Sequence, residues 1–290
     1  MTGLLDGVEV EGRAARLLFV HAHPDDETLA TGVAIAHHVA RGDDVHVLTC
    51  TLGEEGEVIP AALAHLEGAE GDPLAGHRLE ELRGALAVLG ATSHLLGPGP
   101  DGSPTRWRDS GMAGSPASRH PRAWTRADLA DAAAAVRGVI DEVAPDVVVT
   151  YDATGGYGHP DHVRTHEATC HAVATAAAPP VLYGTLTPRS WVAEDRAWLA
   201  ANAPAGDLVV PGPDDPVATS VVPDDAVTHR VVDPVVVATQ AEALRHHGTQ
   251  VVVGEGWYAL SNHVVSRLAG REGYARLDPS TGRPVSEGTP

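Results

Sequence analysis

The chain has no lysine among its 290 residues, and all twenty of its basic residues are arginines. Because it carries 39 aspartates and glutamates, its formal net charge is −19. Such a charge argues against a nucleic-acid backbone or an anionic membrane surface as a partner, since both are polyanions. A local basic pocket is not excluded.

Cysteine, phenylalanine and long apolar runs are also scarce. The two cysteines, Cys50 and Cys170, can form at most one disulfide, which excludes a disulfide-rich secreted scaffold. The single phenylalanine leaves leucine, valine and alanine to build the core. No apolar run reaches the ~18–20 residues of a membrane span, and the first residues lack the basic and apolar regions of a signal peptide. We therefore expect a soluble, cytoplasmic protein without a membrane partner.

Apolar strands alternate with amphipathic helices over residues 16–178. The run ARLLFVHA shows no polar alternation, which is typical of a strand buried on both faces of a parallel sheet. DVHVLTCT, SHLLG and DVVVTYD are further predicted strands. Glycines at Gly42 and Gly90 predict two helix ends, and Thr125 is the N-cap candidate of a third helix. The alternation predicts an α/β fold, with a Rossmann-like, mostly parallel β-sheet flanked by helices.

The pattern weakens after residue 180. PPVLYGTLT predicts one more strand and DPVVVATQAEALRHHGTQ a late helix, while residues 203–229 are rich in proline, aspartate and glycine and predict loops. No internal repeat or linker divides the chain. We expect a single domain, residues 1–290, in which the core at 16–178 is followed by an irregular C-terminal portion at 179–290 that completes the active-site crevice.

Two motifs rich in histidine and aspartate each follow a predicted strand. HAHPDDE, residues 21–27, follows the first strand, and YDATGGYGHPDH, residues 151–162, follows the strand that ends at Thr150. In an open parallel sheet the carboxyl ends of the strands form the ligand crevice. The two motifs should therefore meet there, although they are far apart in sequence.

Their side chains suit a catalytic metal. His23 and Asp26, three residues apart at a helix entry, can face one point, and His162 can supply a third ligand. Two imidazoles, one carboxylate and an open position describe a catalytic rather than a structural site. The donor set fits Zn²⁺ and also Fe²⁺. A bound cation would offset the repulsion among the clustered acids.

Structural interpretations exist for each motif alone. Asp25 or Asp26 could cap a helix, and a single His162 could be an ordinary helix residue. The occurrence of both motifs at strand ends of one sheet disfavours these interpretations. We expect Glu27 to be a helix N-terminal charge rather than a ligand, and His21 to be a buried support residue.

The motifs resemble the N-acetylglucosaminyl deacetylase family that includes the LmbE-like and PIG-L proteins. HAHPDDETLATG and VVTYDATGGYGHPDH carry the family resemblance. CTLGEEGEVI, WRDSGMAG and TQVVVG resemble its actinobacterial branch, which deacetylates N-acetylglucosaminyl-inositol in mycothiol biosynthesis. The resemblance covers residues 16–178 and 238–254, and is loose elsewhere.

The resemblance implies a role for each matching residue. One zinc per chain, with Fe²⁺ as the other candidate, would be held by His23, Asp26 and His162. Asp25 would be the general base. His159 would stabilise the oxyanion or act as general acid. The remaining implied residues are Asp161, which would tune the charge of His159, and Tyr157, a mobile residue that would close over the carbonyl.

Substrate contacts are implied less specifically. Arg78 and Asp109 match positions at which the branch contacts inositol and sugar hydroxyls. His247 and Gln250, near the late helix, are candidates for the inositol end of the site. The expected partner is therefore a small sugar-inositol substrate, and no nucleic acid.

Three questions stay open at this point. The alternatives among enzymes are a deacetylase of another N-acetylglucosaminyl compound and the related mycothiol S-conjugate amidase, although the stretch TLATG lacks the lysine that the amidase has there. A sugar- or nucleotide-binding protein without catalysis is disfavoured, because no G-x-G-x-x-G follows the first strand. The chemistry also allows either Asp25 alone, or Asp25 together with His159, to handle the protons.

Overall fold

The structure is a computed structural model that describes residues 3–10, 12–204 and 206–285. The strands are β1 (Arg16–His21), β2 (Asp44–Thr49), β3 (Thr92–Leu95), β4 (Val147–Thr150), β5 (Val181–Pro188), β6 (Val221–Val222), β7 (His229–Val232), β8 (Val252–Val253), β9 (Trp257–Ala259), β10 (Val265–Arg267), β11 (Arg271–Asp278) and β12 (Arg283–Pro284). The helices are α1 (Asp26–Ala40), α2 (Pro73–Leu89), α3 (Leu129–Val143), the single turn α4 (Gly155–Gly158), α5 (Pro160–Ala174), α6 (Arg189–Asn202) and α7 (Val237–His246). The prediction of a mostly parallel sheet flanked by helices is confirmed.

The central sheet has the strand order β12-β11-β5-β4-β1-β2-β3. The five strands from β3 to β5 are parallel to one another, whereas β11 is antiparallel to β5. The chain runs outward from β1 to β3 and then returns to β4 on the other side of β1. This reversal opens a crevice at the carboxyl ends of β1 and β4.

Alternate residues of β1 pack into two hydrophobic layers. Leu17 and Phe19 belong to a buried cluster with residues of α1, α2 and α7. Leu18 and Val20 belong to the opposite cluster, with residues of α3 and α5. Because both faces are covered, the strand has no polar alternation. The two layers fix the position of β1 in the sheet, and with it the start of the segment that follows.

Helix ends follow local backbone chemistry. Gly90 ends α2 in the left-handed conformation at φ 76°, as predicted. The N-cap prediction for α3 is wrong, because Asp128 accepts hydrogen bonds from Ala130 N (2.9 Å) and Asp131 N (3.2 Å). Thr125 instead lies in a single 3₁₀ turn, Trp124–Arg126, and bonds to Ser110.

The C-terminal portion is more regular than the sequence predicts. It contributes β5 and β11 to the central sheet, adds α6, and forms a small antiparallel sheet in the order β10-β9-β8. The predicted division at residue 178 stays a prediction. Cys50 and Cys170 are both buried and free. Within the described ranges, none of the helices combines the length and the apolarity needed to cross a membrane.

Candidate metal and active site

Three donor atoms from the two motifs meet in the crevice. His23 Nδ1 lies 3.2 Å from Asp26 Oδ2, and His162 Nε2 lies 3.3 Å from each of these atoms. Two ligands in a tetrahedral zinc site with bonds of about 2.0 Å are about 3.3 Å apart. The donor triangle therefore fits a metal ion of this size, and its three residues are those predicted from the sequence.

Hydrogen bonds select the tautomers that a metal needs. The Nδ1–H of His162 donates to the Gly155 carbonyl at 3.1 Å, which leaves its Nε2 lone pair for the metal. The Asp26 carboxylate is held by the hydroxyl of Tyr151 at 2.8 Å and by the His23 backbone N–H at 3.0 Å. Such outer partners orient metal ligands in many proteins. The triangle is therefore pre-organised.

Two further carboxylates contact the other edge of the His23 ring. Asp161 Oδ2 lies 3.3 Å from His23 Nε2, and Asp109 Oδ1 lies 3.4 Å from the same atom. Asp161 also accepts a hydrogen bond from Ser110 N at 2.8 Å. The Asp161 carboxylate contacts His23, whereas its backbone N–H bonds to His159, so the prediction that it tunes the charge of His159 stays a prediction. Both acids face away from the donor triangle, since they bond Nε2 rather than Nδ1.

The predicted substrate contact of Asp109 stays a prediction. Its carboxylate lines the cavity, yet the structure also gives it hydrogen bonds from Gly111 N at 2.7 Å and Glu55 N at 3.3 Å. Although burial raises the pKa of Asp109, the charge of His23 outweighs it and lowers that pKa strongly. Burial lowers the pKa of His23, but Asp109, Asp161 and Asp26 outweigh burial and hold that pKa well above its usual range.

His159 lies beside the triangle with a fixed tautomer. Its Nδ1 accepts a hydrogen bond from Asp161 N at 3.2 Å and so caps α5. The neutral ring must then carry its proton on Nε2. Burial and the neighbouring His23 and His162 lower the pKa of His159 to about 3. His159 lines the cavity and can present a neutral N–H donor there.

Asp25 has a strained backbone at φ 109°. Such positive φ values are uncommon for residues other than glycine and concentrate at functional sites. Its side chain makes no capping hydrogen bond, so the helix-cap interpretation does not apply to it. Its Oδ2 lies 3.2 Å from Arg78. Burial raises the pKa of Asp25 to about 6, although Arg78 opposes this rise. A carboxyl group with a pKa near neutrality suits proton transfer.

Arg78 is buried under the Asp25 loop and bonds to protein groups. It donates to the Gly53 carbonyl at 2.7 Å, to the Pro24 carbonyl and to Asp25. These contacts fix the loop that presents Asp25. A contact between Arg78 and substrate hydroxyls stays a prediction.

Glu27 and His247 form a buried ion pair behind Asp25. Their side chains are 0% exposed, and His247 Nε2 lies 2.8 Å from Glu27 Oε1. Glu27 also accepts the Asp25 backbone N–H at 2.9 Å. The predicted substrate contact of His247 is therefore wrong, since the ring is fully buried and paired. Glu27 is more than a helix-terminal charge, because it holds the strained residue.

Tyr157 and Gln250 lie along the cavity wall. Tyr157 is 58% exposed, and its ring centre lies 5.2 Å from that of His162. It belongs to α4, where Gly155, Gly156 and Gly158 have φ between 67° and 91°. Gln250 is half-buried and donates to Thr249 at 3.1 Å. Both positions allow the predicted substrate contacts, which stay predictions.

Two residues that support the site, Tyr151 and Ser110, were not predicted from the sequence. The pairing of Glu27 with His247 was not predicted either. Tyr151 stacks on the His162 ring at 4.2 Å between centres and opens the second motif. Its place at the strand end was the available signal. His21 is confirmed as a buried support residue, with Nε2 2.9 Å from the Thr31 hydroxyl. Burial lowers the pKa of His21 to about 4.

Fold and site together define an α/β protein with a histidine–carboxylate cluster that could hold a metal ion at the switch point of its sheet. The family model PIG-L, GlcNAc-PI de-N-acetylase, matches residues 18–173. The chain belongs to this family.

Curated relatives match over nearly the whole chain. The 1D-myo-inositol 2-acetamido-2-deoxy-alpha-D-glucopyranoside deacetylase of Thermomonospora curvata is 43% identical, with 94% of both chains covered. The enzyme of that name from Mycolicibacterium smegmatis is 45% identical, covering 94% of this chain and 93% of its own.

Solved structures share the fold at low sequence identity. N,N'-diacetylchitobiose deacetylase from Pyrococcus horikoshii is 18% identical with a TM-score of 0.51, covering 85% of this chain and 76% of its own. The 4-carboxy-2-hydroxymuconate hydratase from Pseudomonas putida is 19% identical with a TM-score of 0.51, covering 81% of this chain and 80% of its own. Since a hydratase and a deacetylase share this fold, the reaction must be argued from the site.

Proposed function

We propose that the chain is a metal-dependent amidohydrolase of mycothiol biosynthesis. It removes the acetyl group from 1D-myo-inositol 2-acetamido-2-deoxy-alpha-D-glucopyranoside and yields acetate and the free amine. The donor triangle with Asp25 beside it carries the reaction type. Relatives of this name, 43% and 45% identical over 94% of the chain, support the substrate. A cytoplasmic location is part of this proposal.

His23, Asp26 and His162 would hold one metal ion, Zn²⁺ or Fe²⁺. Both ions accept this set of nitrogen and oxygen ligands. His159 also offers a nitrogen within 4.8 Å of His23 and His162. We assign it to the substrate instead, because its Nδ1 is used as a helix cap. When bound, the ion supplies a Lewis acid that polarises the amide carbonyl and acidifies water.

Asp25 is the general base in this proposal. An acetamide is a weak electrophile, so the attacking water must lose a proton as it adds to the carbonyl carbon. The raised pKa of Asp25, about 6, leaves an ionised carboxylate at neutral pH that can take this proton. Arg78 contacts the Asp25 carboxylate, and Glu27 holds the Asp25 backbone N–H. The protonated Asp25 can then return the proton to the leaving amine.

His159 stabilises the oxyanion. Its Nε2–H can donate a hydrogen bond to the negative oxygen that forms when water adds to the carbonyl. A general-acid role is less favourable, since loss of the proton from a neutral imidazole would leave an anion. The geometry therefore favours Asp25 as the residue that both takes and returns the proton. Tyr157, on its glycine-rich turn, covers the reacting carbonyl.

The test is amine release by the metal-loaded protein from three acetylated or acylated substrates. We expect kcat/KM for N-acetylglucosaminyl-inositol to exceed that for N-acetylglucosamine by more than about tenfold, which corresponds to about 1.4 kcal/mol. Release from a mycothiol S-conjugate should be slower. Amine release from the conjugate alone would replace the proposal with an S-conjugate amidase, and no release from any of the three would leave a binding protein.

A further inference from the structure

The cavity extends beyond the metal end to a second wall built by the C-terminal part of the chain. Its volume is about 870 Å³, and Trp191, Asp195, Arg267 and Arg271 line it together with the donor triangle. We name these four residues the polar wall. Burial raises the pKa of the Tyr258 hydroxyl, and the charges of Asp195 and Asp25 raise it further.

Asp195 is shared by both arginines of the polar wall. Its Oδ1 lies 3.1 Å from Arg267 and 2.7 Å from Arg271. The guanidinium group of Arg271 also stacks on the Trp191 ring, with 4.8 Å to the ring centre. The Asp195 and Arg271 side chains are 26% and 15% exposed. A single carboxylate is therefore shared by two partly buried cations.

Arginines outside this network cannot supply positive charge to the cavity. Of the described residues that line it, three are arginines and seven carry carboxylates. Arg78 is committed to Asp25 and to two carbonyls. Arg271 also pairs with Glu194. The described part of the chain therefore presents no cavity-lining guanidinium group without an acidic partner.

We propose that Asp195 is a specificity residue that makes the polar wall select an uncharged polyol and reject a phosphorylated one. This inference rests on the proposed function, because it concerns the inositol ring attached to the acetylated sugar. Arginine pairs are the usual ligands of phosphate. Here the two arginine charges are cancelled by Asp195 together with Glu194, so the wall offers hydroxyl-binding donors and acceptors without a net attraction for an anion.

A phosphate group carries a charge of about −1.5 to −2 at neutral pH. In this cavity it would lose hydration without gaining a free cation, and it would face an excess of carboxylates. Replacing Asp195 with asparagine keeps the side-chain shape but frees Arg267, and frees Arg271 from one of its two partners. The neutral substrate gains nothing from the freed charges, whereas a phosphorylated substrate does.

The experiment compares N-acetylglucosaminyl-inositol with its inositol-phosphate form as substrates of the metal-loaded full chain. For the unmodified protein we expect the phosphorylated substrate to have the lower kcat/KM, by more than tenfold. In Asp195→Asn the ratio of phosphorylated to neutral kcat/KM should rise at least tenfold. In Asp195→Asn combined with Arg267→Gln it should fall back towards the original ratio. Asp141→Asn is the control, because it removes one negative charge from the exposed ion pair between Asp141 and Arg137 on α3. It should leave the ratio unchanged.

Calorimetric binding of the deacetylated product and of its phosphate separates this inference from the proposed function. Turnover could be absent while the neutral product still binds more tightly than its phosphate. If Asp195→Asn then reduces this difference in affinity, the inferred charge selection holds although the proposed reaction fails. Equal binding or equal turnover of the two ligands by the unmodified protein would overturn the inference. An unchanged ratio in Asp195→Asn, or a ratio that stays raised in the double variant, would overturn it as well.

Discussion

Replacing Asp25 with asparagine is expected to lower kcat by about 10²–10⁴-fold, the range typical of a lost general base. Metal content and KM should stay close to those of the unmodified protein. Asparagine keeps the shape of the side chain and tolerates positive φ, here 109°. It cannot accept the proton of the attacking water. Steady-state amine release and elemental analysis of the same preparation measure both quantities.

Asp72→Asn is the matched control for this variant. Asp72 also has a positive φ, 51°, at the start of a helix, but it pairs with Arg108 outside the donor triangle. Its kcat should remain within about twofold. A near-normal rate in Asp25→Asn would remove Asp25 from its role. Loss of metal together with the rate would make Asp25 a ligand or a structural residue instead.

Replacing His159 with asparagine is expected to lower kcat by about 10²–10³-fold, as when one oxyanion donor is lost. Asparagine is a favourable N-cap residue. It can therefore accept the Asp161 backbone N–H in place of Nδ1 and keep α5 intact. Because the helix cap is kept, the melting temperature should change little. Turnover should fall, because the N–H that faces the cavity is lost.

Metal content decides between two roles of His159, oxyanion donor and metal ligand. Because its ring lies close to His23 and His162, it is also placed to be a fourth ligand. Full metal content in His159→Asn supports the oxyanion role. If the variant loses metal in proportion to its activity, His159 is a ligand and the oxyanion assignment fails.

The sequence allowed the donor triangle to be predicted because parallel topology makes strand ends converge. His23 and Asp26 follow β1, and His162 lies in the first turn of α5 beyond β4, so adjacent parallel strands bring them together. No tertiary contact had to be known for this inference. The buried strands were predictable for the same reason, since a strand covered on both faces loses its polar alternation.

Contacts between distant segments could not be predicted in this way. His247 was expected at the substrate because it lies near a late helix, yet it pairs with Glu27, 220 residues away. Asp161 was assigned to its neighbour His159, and the contact of its carboxylate with His23 was not predicted. Such partners depend on how helices pack across the sheet, which local patterns do not encode. The N-cap prediction for α3 was wrong for another reason. Thr125 and Asp128 are both suitable N-cap residues, and packing of the 3₁₀ turn selects Asp128.

The most direct test of the account is a metal titration of protein stripped with a chelator, followed by amine release from N-acetylglucosaminyl-inositol. The stripped protein should be inactive. The rate of amine release should rise in proportion to added Zn²⁺, or to Fe²⁺ added under anaerobic conditions, and stop rising at one equivalent per chain. His162→Ala should show no such break. Full activity without metal, or an unchanged titration in His162→Ala, would contradict the assignment of the His23–Asp26–His162 triangle as the catalytic centre.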